Sequence, residues 1–431
     1  MVTARLIRRL QSARLRHFFR ELGPGLITGA ADDDPSGIST YSIAGASFGY
    51  GLLWTALFSF PLMTAVQLMC ARLGMVTGQG LASVVRQRYS RRVLWFTCAL
   101  LVVANTVNIG ADLGGMAEVL QMTTGINAFF WLPFISILII VLLVWLSYRR
   151  IARIFKWLTL TLFAYVIAAL LARPQWHDVI RATFLPHLEV NASYLATILG
   201  VLGTTISPYL FFWQAAQEVE EERSLGRLTI HTRRGATDQE LRAARTDVVT
   251  GMALSNAVMY FIILATGATL YASGHHDIEN ARQAAEALRP LAGDGAYVLF
   301  ALGLIGTGML GIPVLAGSAA YGVTEGLHWR GSLNDRPKRA IKFYAVLGIA
   351  VLLGLLLNYL RLDAVRMLFW AAVLNGILAP PLIGLVTKLS SDKTVMGSRT
   401  NPTILTIMGW TTTAVMGAAT LLMLFLWLKD R

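Results

Sequence analysis

The run Ala30-Ala31-Asp32-Asp33-Asp34-Pro35-Ser36-Gly37 places three consecutive carboxylates inside a segment that otherwise reads as a membrane span. An Asp at the centre of a lipid-facing helix costs roughly 2.5–3.5 kcal/mol on insertion scales, so three facing lipid would not be tolerated. Pro35 removes a backbone donor and Gly37 admits non-helical dihedrals, which predicts a helix interrupted where the charge sits. Non-helical backbone at membrane depth is tolerated only against protein or along a cavity. Carboxylates at an interrupted helix are cation-binding chemistry.

The chain that must position them has 431 residues, 55% of them hydrophobic and 14% charged, with a mean hydropathy of +0.58. That is well to the apolar side of a soluble domain. No Asp, Glu, Lys or Arg lies between Asp34 and Arg72, nor within Val119–Tyr148, Val190–Gln217, Val248–Gly274, Gly295–Thr324 or Thr400–Leu428. Each stretch exceeds the ~20 residues that cross a bilayer core as a helix. An all-α polytopic membrane protein is predicted, with eleven spans starting near Pro24, Leu52, Val93, Phe129, Phe155, Tyr194, Val248, Tyr297, Phe343, Met367 and Ile404.

The net charge of +13 is topological. With the N-terminus in the cytoplasm, cytoplasmic segments carry 29 of the 37 Lys and Arg, and external segments with the C-terminal tail carry the other eight. This alternation is the positive-inside rule, and an odd number of spans preserves it. It places the chain in the cell (inner) membrane with the N-terminus cytoplasmic and the C-terminus external. Its partners are then the lipid bilayer and a transported ion, with no nucleic acid, and a monomer is expected. Residues 1–22, with Arg5, Arg8, Arg9, Arg14, Arg16 and Arg20, form a basic cytoplasmic segment without the apolar core of a cleavable signal peptide. Residues 23–428 form one transporter domain. Cys70 and Cys98 fall near or within spans and read as small packing residues, not as a disulfide or thiolate cluster. The external pair His275-His276 is a poor metal site, since adjacent residues seldom share one tetrahedral ion. No phosphate loop, metalloprotease motif or nucleophile elbow occurs, so the chain is not read as an enzyme and no cofactor is expected.

A second interruption is predicted five spans after the first, at Gly203-Thr204-Thr205-Ile206-Ser207-Pro208-Tyr209. Breaks in the first and sixth spans are what two five-helix repeats of opposite topology produce, with the site at the midplane between them. The repeats would cover about 23–173 and 190–387, with an extra helix at about 402–428. The connection from Glu218 to Asp247 is expected to be a partly helical cytoplasmic loop.

These residues resemble the NRAMP-type divalent metal transporters. Gly23-Pro24-Gly25 leading into Asp34-Pro35-Ser36-Gly37 is similar to that family's first-helix signature, which ends Asp-Pro-Gly-Asn. Thr204 to Tyr209 falls where the family has Ala-x-x-Met-Pro-His. Leu302 to Gly326 resembles its eighth helix, and Asn375 to Pro380 its tenth. The resemblance implies a LeuT-like fold of two inverted five-helix repeats plus an eleventh helix. It carries the metal-binding aspartate onto Asp34, a carbonyl donor onto Ala31, and a lesser place at the site onto Asn375. The family's asparagine falls on Gly37, its alanine on Thr204, its methionine on Ser207 and its histidine on Tyr209. This substitution pattern is closest to the NRAMP-related magnesium transporters.

Donor chemistry points the same way. A thioether suits softer transition metals, whereas hydroxyl, carbonyl and carboxylate oxygens suit Mg²⁺ and Mn²⁺. Mg²⁺ is usually held by one or two carboxylates with several waters retained. Gly37 and Ser207 remove ligands and are expected to open volume for a partly hydrated ion. Asp33 is assigned to outer contacts with the ion, while Asp32 is read either that way or as solvated in a vestibule. Asp112 aligns with a family acid on the proton route, and Glu118 is expected to be solvated. The family's other proton groups fall on Tyr209 and Gly115, and no charged residue lies between Lys342 and Arg361. Weak or absent proton coupling is therefore expected. The leading function is secondary transport of a hard divalent cation, Mg²⁺ or else Mn²⁺. Two other readings stay open: a proton-coupled Mn²⁺/Fe²⁺ transporter of the same fold, and a sodium-coupled carrier of organic solutes.

Overall fold

A computed structural model describes residues 23–146, 150, 160–278, 280–360 and 363–429. The basic segment 1–22 and the expected start of the fifth span near Phe155 lie outside them. The first span is two helices, α1 (Pro24–Asp32) and α2 (Pro35–Phe48), separated by Asp33 and Asp34. Pro35 occupies the first position of α2, where a missing N–H costs nothing, and Asp34 caps that helix through its side chain.

There follow α3 (Trp54–Thr77), α4 (Arg91–Thr124), α5 (Ala128–Trp145) and α6 (Ala164–Leu171), the last continuing a 3₁₀ turn at Leu160–Phe163 in the described part of the fifth span. The sixth span is again broken, into α7 (Ala192–Thr205) and α8 (Pro208–Ser224). Then come α9 (Asp238–Thr269), α10 (Ala296–Gly326), α11 (Ile341–Leu357), α12 (Ala364–Ser391) and α13 (Thr403–Lys429). Among the described residues, nine helical segments are long and apolar enough to cross a membrane. The first span, which also carries three acids, is divided by its break into helices of 9 and 14 residues.

The two breaks have one geometry. Asp33 (φ −85°, ψ 54°) and Asp34 (φ −70°, ψ 173°) precede Pro35. Ile206 (φ −122°, ψ 54°) and Ser207 (φ −76°, ψ 133°) precede Pro208. Ser207 is thus the counterpart of Asp34, and Thr204 the counterpart of Ala31. The packing obeys the same exchange. Helix α9 runs along α1 and α2, while α3 runs along α8, as swapping two inverted repeats requires.

Small residues set these contacts. A Cβ on Gly29 would fall 2.3 Å from the Gly251 carbonyl oxygen, and one on Gly251 would fall 2.2 Å from that of Gly25. Helices α1 and α9 therefore meet backbone to backbone, as small residues allow in membranes. Gly203 and Gly376 do the same for α7 and α12. Gly251→Leu is expected to force α1 off α9 at a cost of at least about 1–3 kcal/mol. Gly348, whose Cβ direction is open, should accept Leu freely. Melting of the two purified variants in detergent checks the difference.

The long connection after the sixth span is more helical than loop. Glu218 to Ser224 complete α8, a short helix spans Ile230–Arg233, and α9 has begun by Asp238. Arg227 ties the two long helices together through Glu222 at 2.7 Å and Glu240 at 2.5 Å. Near the start of α9, the Asp247 carboxylate accepts hydrogen bonds from the backbone N–H groups of Gly23 (2.9 Å), Gly25 (2.6 Å) and Leu26 (3.1 Å). That carboxylate satisfies the open donors at the N-terminus of α1, favourably placed against its dipole, and fixes the angle at which α1 reaches the break.

Candidate metal site

The first break presents an oxygen-lined junction. Ala31 lies in the last turn of α1, whose terminal carbonyls carry partial negative charge. Asp34 stands three residues on, and both are almost fully buried, at 1% and 2% exposure. Asp34 Oδ1 is committed locally, accepting from the Ser36 hydroxyl at 2.5 Å and the Gly37 N–H at 2.9 Å. Its other oxygen, Oδ2, turns across the break toward α8. The Tyr209 hydroxyl there lies 3.1 Å from Asp34 Oδ2 and 3.1 Å from the Ala31 carbonyl oxygen. These two oxygens share one neighbour, and a cation between them would be held by a carboxylate and a backbone dipole.

The second break contributes differently from expectation. The Ser207 hydroxyl donates to the carbonyls of Gly203 (2.7 Å) and Thr204 (2.6 Å), capping the end of α7. The Thr204 hydroxyl lies 2.9 Å from the Tyr41 hydroxyl and 3.0 Å from the Val201 carbonyl oxygen. Tyr41 in turn fills the place beside Gly37, where a Cβ would meet the Tyr41 ring at 3.3 Å. The volume that glycine was expected to open is therefore occupied by an aromatic ring. Thr204 joins the first break through Tyr41, and Ser207 serves its own helix end.

Asp32 and Asp33 are 0% and 4% exposed, so the solvated reading of Asp32 is overturned. Both accept from the single hydroxyl of Ser255 on α9, Asp32 through Oδ2 at 2.5 Å and Asp33 through Oδ1 at 3.2 Å, and Asp32 Oδ1 has no partner among the described residues. One hydroxyl proton serves two adjacent carboxylates. Asp112 on α4 is also fully buried. It and Asp34 converge on Gly311 of α10, whose Cβ would lie 3.0 Å from Asp34 Cβ and 3.8 Å from Asp112 Oδ2. Glu118 is half-buried, and its carboxylate accepts the Ala281 N–H at 2.9 Å.

Asn375 on α12 is not hydrogen-bonded to the junction. It forms a reciprocal amide pair with Asn108 on α4, at 2.9 and 3.1 Å, wholly buried between two spans. Ser255 and Asn108 were missed from sequence. Asn108, with Asn105, is an amide in a membrane span and so carried a signal, whereas a lone serine on a helix carries none. Among the described residues no group of three His, Cys, Asp or Glu placed to hold a metal occurs. Cys70 and Cys98 are free and buried.

Comparison with known proteins agrees with this architecture. The chain matches the family described as natural resistance-associated macrophage protein-like over residues 25–426. It is 26% identical to a divalent metal cation transporter MntH from Mesorhizobium japonicum over 415 residues, 93% of this chain and 87% of that protein. It is also 26% identical to the MntH of Klebsiella pneumoniae strain 342, covering 91% of each chain. Among solved structures, the manganese transporter of Eremococcus coleocola superposes with a TM-score of 0.74 at 21% identity, over 94% of this chain and 86% of that one. The nucleobase-cation-symport transporter Mhp1 superposes more loosely, with a TM-score of 0.59 at 13% identity over 93% of this chain and 92% of that one. Both show the fold, in which the LeuT-like arrangement of inverted repeats recurs. The chain belongs to the natural resistance-associated macrophage protein-like family, a family of transporters and not of enzymes.

Proposed function

We propose that this protein carries a hard divalent cation, Mg²⁺ with Mn²⁺ next in preference, through a site at the first break. The observation that carries the reading is that Asp34 Oδ2 and the Ala31 carbonyl oxygen, a buried carboxylate and a helix-end dipole, share one neighbour, the Tyr209 hydroxyl, at 3.1 Å from each. Relatives named as divalent metal cation transporters support a divalent ion. The choice of a hard ion rests on the donors: carboxylate and carbonyl oxygens, with Ser207 standing where the family has a thioether. Organic solutes call for an apolar pocket and free helix N-termini, whereas here the N-terminus of α2 is already capped by Asp34. The carrier lies in the inner membrane, N-terminus cytoplasmic and C-terminus external, as a monomer.

Ion movement is weakly coupled to protons or uncoupled. A proton wire needs linked titratable groups across the membrane, and Tyr209, Gly115 and the uncharged interval from Lys342 to Arg361 break the family's version of it. The driving force is then the ion's own gradient plus the membrane potential, worth about 4.6 kcal/mol per 100 mV for a doubly charged ion. The proton-coupled Mn²⁺/Fe²⁺ reading rests on one observation, the convergence of Asp112 and Asp34 on Gly311. Uptake of Mg²⁺, Mn²⁺ and Ca²⁺ into proteoliposomes loaded with a pH dye separates the readings. The expected result is Mg²⁺ and Mn²⁺ entry without internal acidification. Stoichiometric acidification abolished by Asp112→Asn would establish the coupled reading instead.

A further inference from the structure

We propose that Tyr209 is a built-in place-holder, its hydroxyl occupying the ion's position when the carrier is empty and yielding it when the ion arrives. This rests on the ion site proposed above. Tyr209 is wholly buried at the second position of α8, directly across the break from α1. Its hydroxyl has a single proton and stands equally far from the two oxygens that define the junction. The proton donates to one oxygen at a time and can pass between them by rotation of the O–H bond. A cation between the same oxygens would occupy the space of that proton, so hydroxyl and ion compete.

The need for such a group follows from the electrostatics of an empty carrier. To take up a net amount of ion, the protein must pass through its closed state without cargo. In that state the buried Asp34 Oδ2 and Ala31 carbonyl oxygen would, without the Tyr209 hydroxyl, lack the donor they share, which is costly for any buried acceptor and more so for a charged one. The other donors at the junction cannot serve: Ser36 and Gly37 are committed to Oδ1, and Ser207 to the carbonyls of α7. Tyr209 supplies the missing donor from the opposite repeat and ties α1 to α8 as it does so. Ion-free closure and ion-bound closure thus use the same two oxygens with different occupants.

Tyr209→Phe keeps the ring and removes only the hydroxyl. Calorimetric titration of the purified full-length protein with Mn²⁺ and Mg²⁺ should show binding tightened by about tenfold, the scale of one hydrogen bond to a charged group. In proteoliposomes, net Mn²⁺ uptake into ion-free vesicles requires return of the empty carrier. Exchange into vesicles preloaded with Mn²⁺ does not. The ratio of exchange to net uptake should therefore rise about tenfold in Tyr209→Phe, a split that a merely structural defect, lowering both together, would not give. Weakened binding with both rates falling together would show Tyr209 to be an ordinary ligand and overturn the proposal, as would an unchanged ratio. Asp34→Ala run in parallel keeps the two ideas apart. If that variant binds and transports normally, the ion site itself is misplaced; if it does not, a negative result for Tyr209→Phe counts against the place-holder alone.

Discussion

Asp34→Ala is expected to reduce divalent-cation uptake to the level of protein-free vesicles while leaving a monodisperse, folded protein. Asp34 supplies the carboxylate of the Ala31–Asp34 pair, and an octahedral ion that keeps most of its water depends heavily on its one charged ligand. Structural cost should be modest by comparison. The side chain caps α2 through Gly37, and losing a cap of this kind typically costs about 1 kcal/mol. Removing a buried carboxylate also relieves its repulsion with the neighbouring buried acids. Asp34→Asn keeps the cap geometry and should fail in transport nearly as completely, since the amide is neutral. Uptake assays beside thermal melting separate the two effects. Normal uptake by either folded variant would remove the ion from this junction.

The second large effect is on ion choice. Ser207→Met restores a thioether at the second break and frees the carbonyls of Gly203 and Thr204 that the serine hydroxyl now caps. Preference should move toward Cd²⁺ and Mn²⁺ by tenfold or more in the ratio of dissociation constants, about 1.4 kcal/mol. Gly37→Asn alone should add little and cost stability, because its Cβ would stand 3.3 Å from the buried Tyr41 ring. Adding Tyr41→Ala makes room for the amide, and only this triple combination should rebuild the family's donor set. Competition calorimetry with Mg²⁺ and Cd²⁺ on the single, double and triple variants checks the order. A Cd²⁺ preference appearing on Gly37→Asn alone would mean that Tyr41 does not guard that position.

The skeleton of this site was legible because its signals are local. Asp34-Pro35 and Ser207-Pro208 each announce a helix end by removing a donor and restricting the preceding residue, and charge-free runs of more than twenty residues announce the spans. What the sequence hid depends on which faces meet. Nothing in the position of Tyr41, four residues after Gly37, says that its ring folds back over the glycine and fills the space. Nothing in Asp247, more than two hundred residues from Gly25, says that it caps α1. The burial of Asp32 and Asp33 against Ser255 likewise follows from the backbone contact of α1 with α9, set by Gly29 and Gly251. Such contacts are fixed by packing between distant segments, and a single sequence carries no local trace of them. The amide pair of Asn375 with Asn108 is of the same kind, joining residues on two distant spans.

The most direct test of the ion's position is diffraction from crystals of the full-length protein soaked in Mn²⁺, with data collected to reveal its anomalous signal. A single strong peak is expected between α1 and α8, within metal–oxygen bonding distance of Asp34 Oδ2 and the Ala31 carbonyl oxygen, and absent from Asp34→Ala crystals. A peak bound instead at Asp32, Asp33 and Ser255, or one that persists at the first break in Asp34→Ala, would contradict the assignment.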